Sequence, residues 1–214
     1  MRRFVPVLAA VLSLPFLATA SQAMPAERHL VLTDADRADL DAISAAMNAI
    51  TTLKGQFYQI EPSGAVDEGR FYIDKPGKVR FEYNPPVTTL LVCDGKTVAV
   101  ANTRLNTIDR YSISDTPLKM ILSNTIDIRH DPSLLGIERR EGLLALRLRT
   151  SLNRSKPNLT LVFSTADHAL KQWSVIDDQG LTTTVALQAV TAGAPLDPSL
   201  FVLPQKKPAP NMGN

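Results

Sequence analysis

The sequence predicts a mainly β (α+β) chain with a single domain, in which about eleven antiparallel strands curl around two short helices. Three observations lead there. From residue 53 onward the apolar residues recur with period two rather than at helical spacing, as in Val79, Phe81 and Tyr83. Short turn sequences separate these runs: Ser63-Gly64, Pro76-Gly77, Asp94-Gly95, Glu141-Gly142 and Asp178-Gln179-Gly180. Two segments carry helix signals, one before the strands and one in their middle. With 214 residues and 44% hydrophobic content, the chain can bury one sizeable core.

In chain order, residues 1–23 read as an export signal. Arg2 and Arg3 start it, and the apolar run Val5–Leu17 is shorter than the roughly 20 residues a membrane span needs. Ser21-Gln22-Ala23 supplies small residues for cleavage, with Ala18-Thr19-Ala20 as an earlier alternative. The whole chain has 23 basic and 21 acidic residues; losing Arg2 and Arg3 balances them. With no basic cluster either, nucleic acid is not an expected partner. Cys93 is the only cysteine. No intrachain disulfide is therefore possible, and no cysteine near the cleavage site can receive a lipid. The expectation is an exported, soluble, non-lipidated protein of a periplasm-like compartment.

A helix follows. Thr33 and Asp36 form a capping-box pattern, and Leu40, Ile43, Met47 and Ile50 fall on one face. Strands are then expected at 53–60, 69–73, 78–84, 88–93, 97–102, 107–113, 134–139, 143–150, 159–164, 169–177 and 181–190, joined as a long meander. Pro76-Gly77 fits a type II turn, and Asp94-Gly95 a two-residue hairpin. Between the sixth and seventh strands, Ser114–Leu122 reads as a short helix with an early proline. The domain spans 24–204, and the Pro- and Lys-rich residues 205–214 read as a disordered tail. A sheet this long must curl, and its concave apolar face needs cover that two short helices only partly supply.

Catalytic signals are weak. The chain has no nucleophile elbow, phosphate-binding loop or dinucleotide glycine motif. His29, His130 and His168 show no metal-ligand spacing and read as surface residues. Cys93 ends an apolar strand, where a small buried thiol is the default. Neither an enzyme nor a cofactor or metal is expected.

Four stretches, in this order, resemble the LolA family of periplasmic lipoprotein carriers. They are Leu53–Gln59, the hairpin Gly69–Tyr83, Leu91–Thr97 with its Asp-Gly turn, and Thr116-Pro117-Leu118 leading to Asn124; Phe201–Pro204 closes the match. The resemblance implies an incomplete β-barrel with a helical lid over an apolar cavity, acting as a monomer. It implies acylated lipoproteins as cargo, an inner-membrane lipoprotein-releasing ABC transporter as donor and the receptor LolB, where present, as acceptor. On that basis Phe57, Phe71, Ile73, Val79, Phe81, Tyr83 and Val92 are read as the acyl-chain wall, though taken alone they would be ordinary core. Leu40, Ile43 and Met47, with Leu118, Ile121 and Leu122, are read as the lid's underside. The family places an arginine before the hairpin proline to hold the lid closed. Lys75 stands there in this chain, implying a looser lid or a different contact. Ala99 and Ala101 occupy positions where the family often carries aromatics; facing inward, they would widen the cavity. Two other readings stay open: a lipid- or lipoprotein-sensing regulatory module, and an exported hydrolase.

Overall fold

The computed structural model describes residues 30–150 and 158–206. The expected leader, His29 and residues 207–214 of the expected tail lie outside them. Helix α1 (Asp34–Ala49) leads into strands β1 (Thr52–Ile60), β2 (Val66–Asp74), β3 (Lys78–Tyr83), β4 (Thr89–Asp94), β5 (Thr97–Asn102) and β6 (Thr107–Ser112). A 3-10 turn (Ile113–Asp115) and the four-residue helix α2 (Leu118–Ile121) follow. Strands β7 (Leu134–Arg140), β8 (Leu143–Leu148), β9 (Leu159–Ser164), β10 (Leu170–Ile176) and β11 (Thr182–Ala192) and a final 3-10 turn (Pro198–Phe201) complete the chain.

All eleven strands form one antiparallel sheet in the order β6-β5-β4-β3-β2-β1-β11-β10-β9-β8-β7. The chain is thus two meanders joined by the long pairing of β1 with β11, from Leu53↔Ala192 to Ile60↔Thr184. Strands β6 and β7 are the free edges, so the barrel is incomplete. The connection between them, carrying α2, passes from one edge to the other. That crossing, rather than a single continuous meander, is what sets the mid-chain helix over the concave face.

The α1 capping box is complete. Thr33 Oγ1 accepts from Asp36 N at 3.1 Å, and the Asp36 carboxylate accepts from Thr33 N at 3.0 Å. Its apolar stripe, Leu40, Ile43 and Met47, is 0–5% exposed within the concave core. The mid-chain helix is shorter than expected, because the 3-10 turn ends at Asp115 and α2 begins only after Pro117. The β4–β5 loop is Gly95-Lys96, one residue later than expected. Asp94 belongs to β4, and its carboxylate accepts from Lys96 N and Thr97 N at 2.9 and 2.8 Å. The β2–β3 turn has a cis Lys75–Pro76 bond and Gly77 at φ 82°. A Cβ on Gly77 would lie 2.8 Å from Gly95 Cα, so these two turns pack glycine against glycine.

The concave face carries the main core. Register fixes its membership: Phe71 pairs with Phe81, Ile73 with Val79, Gly69 with Tyr83, and Phe81 with Leu91. Two glycines make room for rings. Gly69 stands opposite Phe57 and Gly55 opposite Phe71, and a Cβ on either would fall within 3 Å of that ring. The convex face is charged over β2–β3, with Arg80–Glu82 at 2.7 Å and Lys78–Asp74 at 2.9 Å, and these pairs are only partly exposed.

An apolar cleft beneath the helical lid

Six of the seven expected wall residues share the concave face; Val92 does not. Val92 pairs with Arg80 and Ala99 on the convex side, one residue out of phase with Leu91 and Cys93. Ala99 and Ala101 lie on that side too. All three are buried, and the C-terminal segment packs on this side over β3 and β4, with Phe201 4% exposed, Arg80 Nη1 donating to Leu200 O and Arg110 Nη2 to Pro204 O. These small side chains make a seat for the C-terminal segment and leave the concave cavity unchanged.

On the concave side, Phe57, Phe71 and Val79 are fully buried and Ile73 nearly so. They form the packed floor. Phe57 anchors an aromatic array, edge-on to Phe81 at 4.9 Å and to Tyr83 at 5.0 Å, while Phe81 meets Trp173 edge-on at 6.1 Å. Beyond this floor lies an open cleft of about 290 Å³. Phe81 and Tyr83 line it, with Leu91, Val98, Val100, Trp173, Val175 and Val185, while Thr116, Pro117 and Leu118 roof it. None of its lining side chains is charged. The volume is near the lower end of ligand pockets, about 300–1,000 Å³. A larger depression of about 340 Å³ lies beside α2, where Pro117, Met120, Ile126 and Ile128 share the lining with hydroxyls and with the charged Asp127, Asp131 and Arg149.

Sequence reasoning missed the part of the cleft that β10 and β11 supply. Trp173 and Val185 alternate as cleanly as Phe81, yet nothing local shows that β11 returns beside β1. Leu91 and Val100 fall in the unbroken apolar runs Leu90–Cys93 and Val98–Ala101, where alternation does not tell one face of the sheet from the other.

The lid is unevenly fastened. α1 is tied to the segment before β7 by Asn48, whose side chain exchanges hydrogen bonds with the Ile126 main chain at 2.8 and 2.9 Å. Ser44 Oγ accepts from Ile128 N at 3.1 Å, and Arg139 bridges Asp36 at 2.8 Å and also Asp39. Lys75 Nζ donates to Met47 O at 2.8 Å, and burial pushes the ammonium pKa below its ordinary value. α2 has no side-chain cap; Ile121 and Leu122 are buried, but Leu118 is only half-buried.

Polar chemistry gathers at one end of the cleft. Tyr83 OH donates to Gln59 Oε1 at 2.7 Å, and Gln59 Nε2 donates to Glu61. Burial pushes the Tyr83 hydroxyl up to about 12, helped by the charges of Glu61 and Asp67 and opposed by its bond to Gln59. Burial also raises the pKa of the Cys93 thiol, which has no exposed surface and is therefore inert. His130 is largely exposed beside Asp127, and His168 faces Asp39 at 3.8 Å. No group of three or more potential metal-ligating His, Cys, Asp or Glu side chains occurs among the described residues, nor does any helix there have the length and apolarity to cross a membrane.

The family model described as "Outer membrane lipoprotein carrier protein LolA" matches residues 48–204. An outer-membrane lipoprotein carrier protein of Cupriavidus taiwanensis is 27% identical over 132 residues, covering 56% of this chain. The match spans 62% of that relative's length. The carrier of the same description from Methylococcus capsulatus is 22% identical over 196 residues, covering 83% of this chain and 93% of that one. Among solved structures, an uncharacterized conserved protein of Thermus thermophilus aligns with a TM-score of 0.47 at 16% identity, covering 80% of this chain and 95% of that one. With a family match over residues 48–204 and an incomplete barrel under a helical lid, the chain belongs to the LolA family of outer membrane lipoprotein carrier proteins.

Proposed function

We propose that the protein is a periplasmic carrier that holds the acyl chains of lipoproteins in the concave cleft and delivers them to the outer membrane. The observation that supports this most is the cleft itself: an open, uncharged, aromatic-walled concavity under a weakly capped roof. Hiding hydrocarbon from water is favourable by about 0.8 kcal/mol per CH₂, so a soluble carrier needs such a surface and no catalytic group. At about 290 Å³ the cleft is small for several acyl chains, so loading requires the roof to move. The roof's Thr116–Leu118 stretch is the part to do so, because α1 is held at both ends. Lys75 then fastens the lid where the family uses arginine. The donor is an inner-membrane ABC transporter and the acceptor an outer-membrane receptor of the LolB kind.

Incubation with proteoliposomes containing the lipoprotein-releasing transporter tests the proposal. The expected result is a soluble complex of one lipoprotein per protein, abolished in Leu118→Glu, which puts a charge into the roof. Absence of release, with an apolar dye still bound in the cleft, would sink the carrier reading and favour a regulatory lipid sensor.

A further inference from the structure

Within the acyl-binding reading, on which this inference rests, the polar end of the cleft specifies the chemical form of its ligand. We propose that the cleft accepts acyl chains as neutral esters or amides, with Gln59 as the donor that positions the acyl carbonyl, and refuses the ionised carboxylate of a free fatty acid. A carboxylate drawn into this cleft would meet no cation, since every lining residue is uncharged. Burying an unpaired ion costs far more than burying a carbonyl that finds a donor.

The groups at this end strengthen the bias. Gln59 precedes the last residue of β1, Tyr83 ends β3 and Val175 precedes the last residue of β10, so the pair sits at the rim where these strands stop. Glu61 and Asp67 lie close enough to raise the Tyr83 pKa, so the field there is negative and repels a carboxylate further. The Glu61 carboxylate is an acceptor only, and this fixes the orientation of the Gln59 amide. Its oxygen takes the Tyr83 proton, one Nε2 hydrogen goes to Glu61, and the second Nε2 hydrogen is the donor for an ester or amide carbonyl. The alkyl chain then extends from the rim along Phe81, Val98 and Trp173 toward Leu118. Esters of this kind occur both in lipid-modified proteins and in phospholipids.

The test is displacement of an apolar fluorescent dye near neutral pH. Methyl laurate is expected to compete at least about tenfold better than sodium laurate. Gln59→Leu should weaken methyl laurate about three- to tenfold more than it weakens the dye. Thr183→Lys, which adds a cation to the lining, should bring laurate up to the ester. A synthetic diacylglyceryl-cysteinyl peptide and a diacyl phospholipid distinguish the sources, since displacement by the peptide alone assigns the esters to protein-borne lipid. Equal competition by laurate and its methyl ester in the unmodified protein overturns the inference while leaving acyl binding intact. Failure of the dye, the peptide and both laurates overturns acyl binding and the inference together.

Discussion

Lys75 Nζ donates to the main-chain carbonyl of Met47 at 2.8 Å, and two residues later Gly77 N donates to Leu122 O at 2.9 Å. One turn therefore holds the ends of both lid helices. The last turn of α1 has no basic residue of its own, so Lys75 supplies the cation that a helix C-terminus favours. Lys75→Met keeps the apolar stem and removes the ammonium. It is expected to cost about 1–2 kcal/mol in urea denaturation and to speed amide exchange at the end of α1, with β9 unaffected. An unchanged midpoint would mean that desolvation of the ammonium cancels the bond.

Phe57 and Gly69 form a second coupled pair. Phe57→Ala removes the centre of the aromatic array and should cost about 3–5 kcal/mol. Gly69→Ala should cost about 1–3 kcal/mol or more by overpacking. Its Cβ would fall 2.6 Å from the Phe57 ring and 2.1 Å from the Glu82 carbonyl oxygen, and the second of these is main chain. Adding Phe57→Leu should therefore restore only part of the loss. Full recovery would place the strain in the ring alone.

All eleven strands and the α1 cap were legible because alternation and turn chemistry are local. The pairing of Leu53 with Ala192 was not, since nothing within either strand records a partner about 140 residues away. The cleft was half legible for the same reason. Phe81 and Tyr83 lie in the first meander, whereas Trp173 and Val185 join them only through β1 and β11. Val92 was assigned to the wrong face because Leu90–Cys93 is an unbroken apolar run: the convex face there is as buried as the concave one, so alternation lost its contrast.

Alkaline titration should reveal Tyr83. Its pKa is raised from 10.0 to about 12, so between those values the folded protein holds a proton the unfolded chain has lost. The contribution, about 2–3 kcal/mol at this shift, is fully present below pH 10 and disappears as pH rises through about 12. Chemical denaturation across this window is expected to show the decline, and Tyr83→Phe to flatten it. An equal slope in both proteins would place the effect elsewhere.

The seat on the convex face predicts that the C-terminal segment is structural. Phe201 is 4% exposed, and Val92, Ala99 and Ala101 are buried on the convex face where the C-terminal segment packs. Phe201→Ala should cost about 3–5 kcal/mol yet leave dye affinity in the concave cleft within about twofold, because the sheet separates the two faces. Ala99→Phe should destabilise comparably by displacing the segment. Loss of dye binding in a still-folded Phe201→Ala protein would show that the two faces are coupled.

The lid's two parts should differ in mobility, and this identifies the gate. α1 buries Leu40, Ile43 and Met47, receives main-chain bonds through Ser44 and Asn48, and is clamped near its start by Arg139. The roof at Thr116–Leu118 has a four-residue helix with no side-chain cap and a half-buried leucine. Local opening is cheapest where buried apolar contacts and hydrogen bonds are fewest. Amides of residues 113–119 are therefore expected to exchange at least about tenfold faster than those of 40–48, a gap of about 1.4 kcal/mol or more. A bound acylated peptide should change exchange at 113–119 and leave α1 unaltered. Ligand-dependent exchange confined to α1 would make α1 the moving door, with Lys75 as its latch.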